Sequence, residues 1–240
     1  VLELTQAFHP KLDTTTQTLH DLTLDRHTVL TGSNASGKST VLKTLLLNVL
    51  LAQSWGVCCA ASMRWTPFET FRGYLYTVDD CGRESLFQAQ IRRIEEFIQD
   101  ASAVADADAA TTTATATGHS LLVVDEILNS TNPIEAMLLS YQYARIIGNR
   151  LSSTCRLVMT THYPVLTTLA KHHPIQFVNW AMGPQYAVQV GQACHASSAI
   201  GTVREMTRIL TPADHTRLDK AYQRMYKRLA KMRFKELDDG

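Results

Sequence analysis

Residues Gly32-Ser33-Asn34-Ala35-Ser36-Gly37-Lys38-Ser39 match the pattern G-x-x-x-x-G-K-[ST] at every fixed position. The pattern constrains the fold because it works only between a strand and a helix. His27-Thr28-Val29-Leu30-Thr31 reads as the short buried strand before it. Ser39 to Gln53, rich in leucine, reads as the helix after it. A polyphosphate needs many donors converging on one point. A glycine loop can turn its amides inward, and the helix that follows adds the positive end of its dipole. In this arrangement the amides from Gly32 to Thr40 cradle the phosphates, Lys38 reaches the β- and γ-phosphates, and the Ser39 hydroxyl is placed to bind Mg²⁺. Nucleotide binding is therefore expected of this chain.

Other segments extend the α/β reading. Ser120 to Val124 is a continuous apolar run ending in Asp125-Glu126, the pattern of a central parallel strand. Leu157 to Thr160 repeats it and ends at Thr161-His162-Tyr163, after which Pro164 opens a short helix. Phe71 to Val78 reads as a strand. Glu84 to Gln99 reads as an amphipathic helix with Phe87, Ile91, Ile94 and Ile98 on one stripe. Asn132 and Pro133 mark the N-cap and first position of another helix, with Glu135 completing a capping-box-like start. Phe177–Met182 and 186–190 flank Gly183-Pro184 as a hairpin. Strands alternating with helices predict a mostly parallel sheet flanked by helices. Residues 1–26 form a β-rich beginning, and the alanine- and threonine-rich stretch 100–118 reads as a flexible insertion. Helices are expected at 201–210 and after Thr211. The last carries Leu218, Met225, Leu229 and Met232 as a stripe expected to cover a core, with eight basic residues between Arg217 and Lys235 forming a solvated face around it.

Composition excludes more than it selects. With 23 basic and 22 acidic residues, no net field points to nucleic acid or membrane. No apolar run is long enough for a membrane span. The five cysteines lack a C-x-x-C spacing and are expected as free buried thiols of a reducing compartment. The nine histidines show no ligand-like spacing for a transition metal.

The chemistry follows from where the acidic pair falls. Ligands of open α/β sheets bind beyond the carboxyl ends of the strands. There Asp125 is the expected Mg²⁺ carboxylate and Glu126 the base that orders water for attack on the γ-phosphate. His162, at the end of the next strand, is the expected γ-phosphate sensor. Arg83-Glu84-Ser85 opens a helix, where either an anion site or plain capping by Ser85 or Asp80 would account for the residues.

Four stretches, TGSNASGKST, DDCGRESLFQAQIRRI, LLVVDEILNSTNPIEA and MTTHYPVLTTL, resemble in order and spacing the ATPase domain of the MutS family. This is an ABC-type P-loop branch of DNA mismatch-repair and recombination proteins. The family usually has proline at Ser33, methionine at Ala35 and a G-T-[ST] tract where Ser130-Thr131-Asn132-Pro133 stands, so the chain resembles a divergent MutS-like branch.

The resemblance implies an ATP- and Mg²⁺-dependent ATPase spanning 1–210, with 211–240 as a basic helix serving dimerisation or DNA. It implies a head-to-tail dimer, homo- or heteromeric, with a second MutS-like ATPase domain. In that dimer Ser85, with Gly82 and Arg83, reaches the partner's γ-phosphate, and Asn132 lies at the seam. DNA is gripped by domains upstream of this stretch, no membrane is involved, and the setting is intracellular: the nucleus in a eukaryotic or viral context, otherwise the cytoplasm. Leu19, His20 and Tyr186 are the candidates to stack on adenine. The alternatives are a nucleotide-gated DNA clamp with little hydrolysis, or another ABC-type DNA-maintenance ATPase of the SMC kind. The SMC kind carries an S-G-G-Q-type signature where this chain has Gly82-Arg83-Glu84-Ser85.

Overall fold

The computed structural model describes residues 2–13, 15–75, 85–110, 119–128, 130–151, 153–194 and 211–229. Two sheets organise it. The larger has six strands: β5 (Thr70–Tyr74), β6 (Ser120–Val124), β7 (Cys155–Thr161), β3 (His27–Thr31), β8 (Phe177–Met182) and β9 (Val188–Val190), in that spatial order. All neighbours are parallel except β9, which pairs antiparallel with β8 as the expected hairpin. The smaller sheet is antiparallel, in the order β2 (His20–Leu24), β1 (Leu2–Ala7) and β4 (Ser62–Trp65). The β-rich beginning therefore does not end at residue 26, because β4 is recruited from the connector after the first helix.

The large sheet is buried on both faces, which is why its strands read as unbroken apolar runs. Leu121, Val123, Val158 and Trp180 face a core shared with α1 (Lys38–Trp55) and the small sheet. Leu122, Val124, Leu157 and Met159 face the opposite core, built by α2 (Leu86–Ala110) and α3 (Pro133–Arg150) with the turn Pro164–Thr168 and α4 (Leu169–His172). Asn132 caps α3 by accepting the Ile134 amide at 2.9 Å, with Pro133 inside the first turn. The chain leaves β3 through α1 to the far edge of the sheet and returns through β6 to β7. β3 thus sits between β7 and β8 at a switch in strand direction of travel, and the loops after β3, β6 and β7 meet over one end of the sheet.

Three expectations require correction. Residues 100–110 are not a flexible insertion: α2 runs on to Ala110, and Ala101 is fully buried in the core. Alanine is the best helix former, so an alanine-rich stretch extends a helix that is already nucleated and packed. Residues 111–118 lie outside the described residues. The stripe on the last helix, α5 (Pro212–Leu229), does not cover a core: Leu218 and Met225 are 41% and 56% exposed. Of the cysteines, only Cys155 is buried among the described residues, although Cys58, Cys59 and Cys194 are free as expected. The helix expected at 201–210 and the strand residues 76–78 lie outside the described residues.

Candidate functional site

The 32–39 loop begins where β3 ends and winds directly into α1. Gly32 has no room for a side chain: a Cβ there would stand 2.5 Å from Ser36 Oγ and 2.9 Å from Met182. Gly37 takes φ +95° and Ala35 φ +57°, so the loop doubles back before Lys38 opens the helix without a side-chain cap. The first turn of α1 leaves amides without intrahelical partners, and the buried Ser36 Oγ has no hydrogen-bond partner among the described residues. Lys38 Nζ donates to the carbonyls of Gly32 and Ser33, both at 2.9 Å. Burial pushes its ammonium below the usual lysine range, and the carboxylates of Glu126 and Asp125 pull the other way.

Asp125 and Glu126 meet this loop from β6. Ser39 Oγ donates to Asp125 Oδ2 at 2.5 Å, and Thr160 Oγ1, on β7, donates to Asp125 Oδ1 at 2.6 Å. The Asp125 amide donates to the Tyr74 carbonyl at 2.9 Å, tying the turn to β5. Glu126 adopts φ +57°, a left-handed conformation costing a residue with a Cβ about 1–2 kcal/mol. Its amide donates to Thr160 Oγ1 at 2.9 Å. Its Oε1 stands 2.6 Å from His162 Nε2. Lys38, Ser39, Asp125, Glu126 and His162, picked out from three separated stretches of sequence, are thus brought together.

The cluster suits Mg²⁺ and a polyphosphate. Ser39 Oγ and Asp125 Oδ2 are hard oxygen donors in contact, the kind of pair a small divalent cation takes. Lys38 now holds two carbonyl oxygens that phosphate oxygens would replace.

A cavity of about 620 Å³ opens beside the loop, large enough for a nucleoside. Its walls include Leu12, Asp13 and His20 on one side and Met182 and Tyr186 on the other. Thr18 Oγ1 donates to the Gln185 carbonyl at 2.5 Å, joining the two walls. Gln185 and Tyr186 take φ +54° and +62° in succession, a turn that aims Tyr186 at Gly37. His20 and Tyr186 both line this cavity. Leu19 does not: it is 50% exposed and absent from the cavity wall, because alternation at the start of β2 sends it to the opposite face from His20.

Ser85 lies apart from the cluster. Its hydroxyl accepts the Gln88 amide at 3.2 Å, and its own amide donates to Gln88 Oε1 at 3.0 Å, a reciprocal capping box for α2. Asn132 is likewise engaged in capping α3. Gly82 and Arg83 fall outside the described residues. Sequence reasoning missed Thr160, whose only signal was a hydroxyl beside the polar end of the V-M-T-T-H run, and Leu12, Asp13 and Met182, which carry no motif.

Comparison with known proteins adds a family to this geometry. The description MutS domain V matches residues 28–189, about two thirds of the chain. The DNA mismatch repair protein MutS of Ruminiclostridium cellulolyticum is 27% identical over 177 residues, covering 70% of this chain and 19% of that protein. Endonuclease MutS2 of Thermomicrobium roseum is 31% identical over 207 residues, covering 79% and 23%. DNA mismatch repair protein MSH3 of Cryptococcus neoformans var. neoformans is 26% identical over 156 residues, covering 64% and 12%. The chain thus spans less than a quarter of the length of these curated relatives.

Proposed function

The chain belongs to the MutS family, and from that premise we propose that it is the ATP-binding and ATP-hydrolysing P-loop domain of a MutS-like DNA mismatch-repair or recombination protein. The observation that carries this reading is the hydrogen bond between Ser39 Oγ and Asp125 Oδ2, which joins the glycine loop to the acidic strand end at one point. On this reading the loop amides from Gly32 to Thr40 bind the phosphates, and Lys38 exchanges its two carbonyl partners for phosphate oxygens. Ser39 and Asp125 would hold Mg²⁺, which when bound would supply neutralising charge to the transferring phosphoryl group. Glu126 orients a water in line with the γ-phosphorus and takes its proton as the bond to the β-bridging oxygen breaks, its electron pair leaving with ADP. His162, already against Glu126, holds that carboxylate in place and answers to the γ-phosphate.

A second MutS-like ATPase domain completes the site in trans through Ser85, with Gly82 and Arg83, across a seam that includes Asn132. Binding closes the pair, hydrolysis opens it, and DNA is engaged by other parts of the longer protein. The Asn-Pro tract at 132–133 and the serine and alanine at 33 and 35 support the reading of a divergent branch of the family.

Glu126→Gln tests this directly. It keeps ATP binding, lowers turnover by about 10³-fold and traps the nucleotide-bound dimer, read by single-turnover hydrolysis and light scattering. Undiminished hydrolysis overturns the assignment of the base. A parent chain that binds ATP and dimerises without hydrolysing it would instead make this a nucleotide-gated clamp.

A further inference from the structure

From the hydrogen bonds between β6 and β7 we infer that Thr160 is a positioning residue, one hydroxyl that sets both the metal-binding carboxylate and the base. The inference rests on the ATPase reading above. Thr160 is completely buried. Its Oγ1 accepts the Glu126 amide at 2.9 Å, so its single proton is left to donate to Asp125 Oδ1 at 2.6 Å. These two bonds act on different groups of the site. The first pins the backbone of Glu126 in the left-handed conformation that brings its carboxylate to His162. The second occupies one oxygen of Asp125 and leaves Oδ2 turned to Ser39.

Without the hydroxyl, Asp125 keeps its backbone tie to Tyr74 and its bond from Ser39, but Oδ1 loses the donor that fixes the plane of the carboxylate. The Glu126 amide then loses its acceptor. A group shared in this way fixes the distance between metal site and base, which in-line attack requires to within a fraction of an ångström. Merely filling a strand end would need only shape, and valine supplies the same shape without the hydroxyl.

Thr160→Val and Thr160→Ser, made in the full chain, separate these roles. Three measurements apply: binding of a fluorescent ATP analogue in EDTA, Mn²⁺ affinity of the nucleotide complex by electron paramagnetic resonance, and steady-state hydrolysis. Positioning predicts that Thr160→Val leaves metal-free nucleotide affinity unchanged, weakens Mn²⁺ about 10-fold and lowers kcat about 10- to 100-fold with KM nearly constant. Thr160→Ser, which keeps the hydroxyl, recovers Mn²⁺ affinity and kcat to within about threefold of the parent.

Equal losses in the serine and valine variants, or Mn²⁺ affinity and kcat in Thr160→Val within about twofold of the parent, overturn the inference. Should Thr160→Val not fold, Thr160→Ala takes its place, with the same measurements and the same thresholds. Failure of the functional reading looks different. A parent chain that neither binds the metal–nucleotide complex nor hydrolyses it removes both conclusions. A parent that does both, with Glu126→Gln inactive and Thr160→Val unaffected, removes this one alone.

Discussion

The two ends of the six-stranded sheet are built from the same strands and to opposite rules. At the carboxyl ends of β3, β6 and β7, polar side chains meet one another: Ser39 with Asp125, Asp125 with Thr160, Glu126 with His162. Two residues with a Cβ, Ala35 and Glu126, hold left-handed backbone there, and a cavity opens alongside. At the amino ends, His27, Ser120, Cys155 and Phe177 are packed dry. His27 Nε2 and Ser120 Oγ have no hydrogen-bond partner among the described residues. Burial raises the Cys155 thiol to about 12, which makes it inert. One end accepts strain where charged groups converge. The other tolerates unsatisfied polar atoms so that rings and strands pack. Substitutions at the first should change binding with little effect on stability, and at the second the reverse.

The largest effect that could break this contrast is expected from Lys38→Ala. Removing the ammonium takes away the loop's one formal positive charge directed at phosphate. Nucleotide affinity should fall by about 100-fold, roughly 3 kcal/mol, in a binding titration. The unliganded chain should melt no lower than the parent, because a buried charge is removed along with its two carbonyl contacts. A lower melting temperature with affinity intact would show that the loop end is a structural region like the floor.

That contrast also explains which parts of the molecule are legible in the sequence. Gly32, Gly37, Lys38 and Ser39 fall at the spacing that a phosphate-cradling loop requires, so they announce themselves. Asp125, Glu126 and His162 stand at the ends of apolar runs, and burial on both faces makes those runs conspicuous. Leu12 and Asp13 reach the cavity only because β1 and β2 fold over the loop, and no local period records such a contact. Thr160 is hidden for a similar reason, since its partners are 34 and 35 positions away. The end of α2 is misread because a low-complexity composition looks alike whether it is free or packed. Ala101, fully buried, shows which applies up to that point. Ser85 suits either capping or an anion site on sequence alone, and its bonds with Gln88 show the capping role in the single chain.

At the other end, Gly148→Ala probes packing with a smaller effect. Gly148 lies in α3 against the ring of Phe177, and a Cβ there would fall 2.5 Å from Cε2 and 2.7 Å from Cζ. The ring cannot retreat freely, since it is tilted against His27 at a centroid distance of 5.1 Å and meets His173 edge-on at 6.5 Å. Overpacking costs about 1–3 kcal/mol, and the better helix propensity of alanine offsets part of it. A net loss of up to about 2 kcal/mol in chemical denaturation is expected, with nucleotide affinity unchanged. Weakened affinity at unchanged stability would mean that the two ends are mechanically coupled.

The smallest effect, and the one that most sharpens the contrast, is the pH response of His27. Its Nδ1 accepts the Leu157 amide at 3.0 Å, so that nitrogen carries no proton in the folded chain. Burial, with Arg156 nearby as the lesser cause, lowers its pKa from 6.5 to about 3. Between those two values the unfolded chain binds a proton that the folded chain refuses. Stability is therefore undiminished above about pH 6.5 and falls as pH drops through the window towards 3. At pH 5.5 the loss from this one residue is about 1.4 kcal/mol. Burial depresses His20 in the same direction, so the parent's slope alone does not isolate His27. His27→Asn keeps an acceptor for the Leu157 amide and removes the titration. The difference in unfolding free energy between about pH 7.5 and 5.5 should shrink by that amount in the variant. A variant slope equal to the parent's, or an imidazole resonance of His27 that titrates near the ordinary 6.5 in the folded chain, would mean that the floor of the sheet admits water and protons as the site end does.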